Sequence, residues 1–206
     1  MVRIAARIGG SIPGHEPRFI PPSAALHICG TTRAGLVDDG KSVVDKYSKA
    51  CIGKELGMDP SVIQQTAHGR RTVDTLKIIC AEKATMEFES RNATQIEKSI
   101  PENYGSNATI IPGAHEMLDS VTASGEPLAI VTSASLPLLR GWVKVLDLPA
   151  CPHLVTAESV EHGKPDPAGY LLAMKKLAMS QNTARRVVSE DSPAGICAAK
   201  AVVARS

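Results

Sequence analysis

From Val187 to Ile196 the chain reads V-V-S-E-D-S-P-A-G-I. An apolar run ends in two adjacent carboxylates, Glu190 and Asp191, and a turn then starts a helix. Ser192 is placed to cap that helix, and Pro193 suits its first position. A buried strand that feeds a capped helix is the building unit of parallel α/β sheets, so this stretch narrows the fold more than any other. Acidic residues at the carboxyl end of such a strand, beside a helix N-terminus, suit a Mg²⁺ site that serves a phosphate. A pair of helix-capping acids is the plainer alternative.

Other segments repeat the unit. Short apolar runs at 35–37, 128–131, 153–156 and 186–189 end in polar or small residues. Helical patterns separate the last three, which predicts βαβ units and a parallel sheet. One helix is expected from Pro112, with Met117, Leu118 and Val121 on one face. A second is expected over about 138–146. A third is expected from Asp166-Pro167, with Tyr170, Leu171, Met174 and Leu177 in one stripe, and a fourth follows Pro193. Residues 44 to 108 carry helix signals without a convincing strand. Asp59-Pro60 is a cap followed by proline, and Thr72 is placed to cap a helix with Val73, Leu76 and Ile79 on one face.

Composition sets outer limits. The 206 residues suit one domain, or one domain carrying an insert. Hydrophobic residues make up 43% and charged residues 21%, as in an ordinary globular protein. Aromatic residues are only 3%, so the core must come from aliphatic side chains. The net charge of +2, without a basic stripe, argues against a nucleic-acid partner. The five cysteines are scattered and odd in number, which reads as reduced thiols rather than a disulfide framework. No apolar run approaches the roughly 20 residues a membrane span requires.

Residues 1–34 hold four arginines, a single acid at Glu16, and prolines at 13, 17, 21 and 22, without sustained periodicity. They read as a disordered leader, with mitochondrial targeting as the alternative. The sequons at Asn92 and Asn107 read as chance matches without a secretory signal.

Two further fragments carry chemistry. L-A-I-V-T-S ends at Thr132 and Ser133, whose hydroxyls at a strand end can bond a phosphate oxygen, although strands often end in Thr or Ser. In E-H-G-K-P-D-P, Lys164 lies between a glycine and a proline on a short loop feeding a helix. A rigidly held ammonium there can neutralise a phosphoryl group or a nucleophilic carboxylate. An ordinary solvated loop lysine is the alternative. The three sets occur in the order, and on the elements, that a phosphate-handling sheet requires.

T-S-A-S at Thr132, G-K-P-D-P at Lys164 and S-E-D-S-P-A-G-I at Glu190-Asp191 resemble the second, third and fourth motifs of the haloacid dehalogenase (HAD) superfamily phosphatases. G-K-E-L-G-M-D-P (53–60) and H-G-R-R-T-V-D-T-L (68–76) resemble the helical cap of its glycerol-phosphate and deoxyglucose-phosphate phosphatase branch. The resemblance covers about residues 35–204. It implies a Rossmann-like α/β core with a parallel sheet, over 35–43 and 109–206, and a small helical cap over 44–108. It implies that Thr132 contacts phosphate and that Lys164 steadies nucleophile and phosphate. Glu190 and Asp191 would hold Mg²⁺ directly or through water, and His68, Arg70 and Arg71 would face the substrate from the cap. The substrate would be a small polyol or sugar phosphate, because a closing cap excludes large partners and water. A cytoplasmic monomer is expected.

One part of the family pattern is missing. The first motif, D-x-D-G-T, supplies the Asp that attacks phosphorus and the Asp that handles the leaving-group proton. Here the local sequence is A-G-L-V-D-D-G-K-S-V-V-D-K-Y. Aligning Val43-Val44 and Tyr47 with the family helix puts Asp38 on a later V-D, so the nucleophile segment reads as deleted. The alternative treats Asp38-Asp39-Gly40 as a contracted motif. Neighbouring strand residues face opposite ways, so that alignment needs a bulge. The family also continues past the last helix, so the fold is expected to be incomplete at the first strand and at the C-terminus. Little or no activity follows from the missing nucleophile. Two rival readings use the same residues. One is a non-catalytic sugar-phosphate-binding protein. The other is a P-loop at Gly35–Ser42, which matches G-x-x-x-x-G-K-S but would point Asp38 and Asp39 into a phosphate cradle.

Overall fold

A computed structural model of the chain describes residues 2–5, 25–29, 37–38, 57–67, 69–85, 87, 97–110, 114–177, 185–190 and 192–204. The apolar run before the acid pair is a strand, Arg185–Ser189, and those at Leu128–Val131 and His153–Val155 are strands as well. With Val2–Ala5 and Ala25–Cys29 they make one parallel sheet. We number the strands in chain order: β1 (Val2–Ala5), β2 (Ala25–Cys29), β3 (Val37–Asp38), β4 (Thr109–Ile110), β5 (Leu128–Val131), β6 (His153–Val155) and β7 (Arg185–Ser189). The sheet order is β1-β7-β2-β5-β6, so β2 lies at the centre between β5 and β7. Cys29, its last residue, is in register with Ile130 and Ser189.

Two expectations are corrected here. Residues 1–34 are not a disordered leader throughout, because 2–5 and 25–29 belong to the main sheet. The stretch at 35–37 is not its first strand. Val37 and Asp38 instead pair antiparallel with Ile110 and Thr109, apart from the parallel sheet. A two-residue strand paired this way cannot fill the central place, and A-L-H-I-C fills it.

The helices are α1 (Pro60–Ala67), α2 (Thr72–Ile79), α3 (Lys98–Tyr104), α4 (Ala114–Ser124), α5 (Leu136–Val145), α6 (Ala168–Lys176) and α7 (Pro193–Ala204). Asp59 starts α1 by accepting from the Ser61 amide at 2.8 Å. The Ser135 side chain caps α5, accepting from the Leu138 amide. Thr72 does not cap α2, because Arg71 is its N-cap residue and the Thr72 hydroxyl donates to Glu97 instead. None of these helices is long and apolar enough to cross a membrane.

Period-2 alternation divides the sheet between two cores. Ala129 and Val131 of β5 pack with Val155, Tyr170, Ala173, Met174, Val188, Ala198, Ala199 and Val202, under α6 and α7. Ile130 points the other way, into Ile100, Ala114, Leu118, Leu138, Leu139, Trp142 and Leu148. The result is a three-layer α/β/α core with its polar strand ends on one edge.

Candidate functional site

The carboxyl ends of β5 and β7 bring Thr132, Lys164 and Glu190 together. Lys164 is buried at 8% exposure and Glu190 at 3%. Lys164 Nζ donates to Glu190 Oε2 at 2.5 Å and to the Val131 carbonyl at 3.2 Å. It also lies 5.3 Å from the centre of the Tyr170 ring, whose hydroxyl donates to the same Glu190 oxygen at 2.8 Å. The other oxygen, Oε1, accepts from the Ser192 amide at 3.1 Å and the Ser192 hydroxyl at 2.9 Å. The hydroxyl in turn accepts from the Gly195 amide at 3.0 Å, the cap expected of α7. Burial by itself raises the Glu190 carboxyl. The Lys164 charge, together with the bonds from Lys164, Tyr170 and Ser192, outweighs it and lowers the pKa to about 2.

A carboxylate has about four lone-pair sites, and four donors meet Glu190. Among the described residues, no group of three or more His, Cys, Asp and Glu side chains could hold a metal ion. Asp191, the other expected ligand, lies outside the described residues.

Thr132, buried at the end of β5, donates its amide to the Val155 carbonyl at 2.9 Å. Its hydroxyl oxygen accepts from the Ala134 amide at 3.0 Å. Ser133 lines the same cleft as Lys164, with its hydroxyl engaged. It donates to the Gly69 carbonyl at 2.9 Å and so ties the core to the segment before α2.

The arginine pair divides. Arg70 is half-buried. Arg71, only 7% exposed, lines the cleft beside Thr132 and Lys164, but its guanidinium is engaged throughout. Nε and Nη2 donate to the two Asp74 oxygens at 2.7 and 3.0 Å. Nη1 donates to the carbonyls of Ala157 and Val160 at 3.3 and 3.0 Å, and Nη2 to that of Glu161 at 2.8 Å. These five bonds match the five N–H groups of a guanidinium. In this arrangement Arg71 holds the loop before Lys164 and does not present its donors to a substrate.

Asp39 and His68 lie outside the described residues. Asp38 is placed at the backbone level only, in β3. The central strand offers no replacement acid, because the sequence has no Asp or Glu from 17 to 37. The P-loop reading is not supported either. Val37 and Asp38, which it would put inside a phosphate loop, are antiparallel strand residues.

Sequence reasoning missed Glu97. Its carboxylate accepts from the Thr72 hydroxyl at 3.1 Å and from the Ser135 amide at 3.0 Å, joining the starts of α2 and α5. A lone acid in Q-I-E-K gives no signal of such a role. Tyr170 was legible as a core residue, but its hydroxyl bond to Glu190 was not.

The haloacid dehalogenase-like hydrolase family profile matches residues 45–206. Hexitol phosphatase A of Escherichia coli (strain K12) is 35% identical over 68% of this chain and 63% of its own length. The chain thus spans less than two thirds of that relative. 2-Deoxyglucose-6-phosphate phosphatase 1 of Saccharomyces cerevisiae is 32% identical over 76% of this chain and 68% of its own. Glycerol-1-phosphate phosphohydrolase 1 of the same yeast is 29% identical over 82% and 70%. Among solved structures, a hydrolase from Pseudomonas syringae superposes with a TM-score of 0.70 at 21% identity, over 87% of this chain and 81% of that one. Strand ends, motif order and these likenesses agree, and the chain belongs to the haloacid dehalogenase-like hydrolases.

Proposed function

We propose that this chain binds small polyol or sugar phosphates in the manner of a phosphomonoesterase, and that it hydrolyses them slowly at most. The observation that carries the reading is the pairing of an assembled phosphate side with a central strand that brings no acid. Lys164 is fixed by Glu190 and the Val131 carbonyl, which leaves its third N–H for a phosphoryl oxygen. Thr132, one residue beyond β5, supplies a hydroxyl on the same side. Both act electrostatically, by meeting charge on a phosphoryl group in a site sheltered from water. The nucleophile such a site needs belongs at the end of β2, where the chain carries A-L-H-I-C.

Ser133 and Arg71 serve this reading by holding the segment over the site. Arg70 and His68 remain the candidates for contact with the sugar or polyol. Hydrolases of this family generally use Mg²⁺, and here its retention rests on Asp191 rather than on Glu190. The homologues named as hexitol, glycerol-phosphate and deoxyglucose-phosphate phosphatases support the substrate class.

The test is Mg²⁺-dependent phosphate release from glycerol phosphate and hexose phosphates by the full chain. The expected result is turnover lower by orders of magnitude than a covalent nucleophile allows, with binding retained. Rapid turnover that is lost in Asp38→Asn or Asp39→Asn would overturn the reading and restore the contracted motif. Loss of phosphate-ester binding in Lys164→Gln, with the fold intact, would support it. Nucleotide binding that is lost in Lys41→Ala would favour the P-loop instead.

A further inference from the structure

Among the described residues Tyr170 is the largest fully buried side chain, set in an aliphatic core with Val131, Val155, Ala173 and Met174. A hydroxyl carried into such a core needs a polar partner. It donates to Glu190 Oε2 at 2.8 Å, the same oxygen that accepts from Lys164 Nζ. The ring serves the same lysine, because Nζ lies 5.3 Å from its centre, within cation–π reach. Two features hold the ring in place. α6 follows Lys164 after residues 165–167 alone, and Gly169 lets the helix press against β5. A Cβ on Gly169 would lie 3.1 Å from Val131 Cγ1, and the Val131 carbonyl accepts another N–H of Lys164 at 3.2 Å. Hydroxyl, ring and strand carbonyl thus converge on one ammonium and its counter-charge.

We propose that Tyr170 is a positioning residue for the phosphate site, its hydroxyl holding Glu190 Oε2 so that the Lys164 ammonium keeps an N–H for the ligand. The proposal rests on the phosphate-site reading of Lys164 and Thr132 given above. A carboxylate oxygen has room for about two donors, and Glu190 is buried. Without the hydroxyl, Oε2 is one donor short in a place where the loss is costly. Lys164 is the neighbouring donor able to make it up, since its three N–H groups rotate about a single bond. The ammonium is then drawn toward Glu190, and its charge and third N–H turn away from the phosphate. Packing alone does not call for the hydroxyl, because phenylalanine fills the same space and keeps the ring beside Nζ.

The experiment compares Tyr170→Phe with Met174→Val in the full chain. The first removes the hydroxyl and keeps the ring, and the second trims the same core further along α6. Two quantities are read. One is the affinity for inorganic phosphate by calorimetric titration. The other is the nitrogen resonance of the Lys164 ammonium, identified by its loss in Lys164→Gln. Tyr170→Phe is expected to shift that resonance and to weaken phosphate binding about tenfold, the scale of one hydrogen bond to a charged group. Met174→Val is expected to lower the unfolding midpoint and to leave both readouts as in the parent. Unchanged phosphate affinity in Tyr170→Phe, or an unmoved resonance, would overturn the proposal. Equal weakening in Met174→Val would also overturn it, because Tyr170 would then act only by filling the core. If Tyr170→Phe moves the resonance while neither parent nor variant binds phosphate, Tyr170 positions Lys164 and the phosphate-site reading falls.

Discussion

Glu190 and Glu97 are both buried carboxylates, yet their partners set their protonation in opposite directions. Burial is the largest influence on each, and it raises both. Glu190 faces the Lys164 ammonium and ends at about 2. Glu97 has only the neutral donors Ser135 and Thr72, with Glu158 adding like charge, and stays above its ordinary 4.5. The signs for stability follow. Glu190, depressed in the fold, contributes stability that is present above its unfolded pKa and lost as pH falls toward its folded one. The contribution is about 3 kcal/mol in all. Urea unfolding of the parent and of Glu190→Gln between about pH 5 and pH 2 should show the parent losing more, and parallel losses would refute this. Glu97, raised in the fold, contributes stability that is full below its unfolded pKa and lost as pH rises through its folded one. Glu97→Gln, which can keep bonds to Ser135 and Thr72, is expected to stabilise the protein at neutral pH and to change little in acid. A destabilised variant at pH 7 would show that the charged form is the one the fold wants.

At the level of elements, the site depends on how closely α7 approaches the end of β7. Gly195, in the first turn of α7, faces the Glu190 side chain, and a Cβ there would fall 2.1 Å from Oε2. Gly195→Ala must displace either the helix start or the Lys164–Glu190 pair. The expected cost is about 1–3 kcal/mol from overpacking, more if Lys164 loses its partner. Chemical unfolding measures the cost, and a loss below about 0.5 kcal/mol would mean the helix start yields freely. The strand-to-helix step itself was legible, since apolar run, acid pair, serine cap and proline follow in sequence. So were β5 and β6, as apolar runs separated by helical patterns, and α5 and α6, whose apolar stripes are long enough to show a period. β1 and β2 were not. V-R-I-A and A-L-H-I-C carry Arg or His and flank a proline-rich stretch, so nothing local marks them as sheet. Their pairing with β7 and β5 is a tertiary choice that no local window contains. Arg71 was singled out as a substrate contact, but its tie to the loop at 157–161 was hidden for a related reason, since only the fold brings that loop to it.

For the molecule as a whole, β5 decides how the parts unfold. Its alternating residues feed both cores, so neither face can loosen without exposing the other. Trp142, the sole tryptophan, is 4% exposed in the core beneath α3, α4 and α5. α3 belongs to this unit as well, because Ile100 is buried there and Pro101 packs on Gly141 of α5. α1 and α2 are different. Among the described residues they pack on each other, leave Val62 and Ile78 exposed, and meet the sheet domain through the polar contacts of residues 69–74. Polar ties of this kind are worth far less than a shared apolar core. The expected behaviour is one cooperative transition in which Trp142 fluorescence and far-ultraviolet circular dichroism of the sheet domain coincide. Limited proteolysis should cut within residues 57–85 at denaturant concentrations where Trp142 is still native. A Trp142 transition that precedes cleavage in that segment would show that the polar ties outlast the apolar core and would reverse this order.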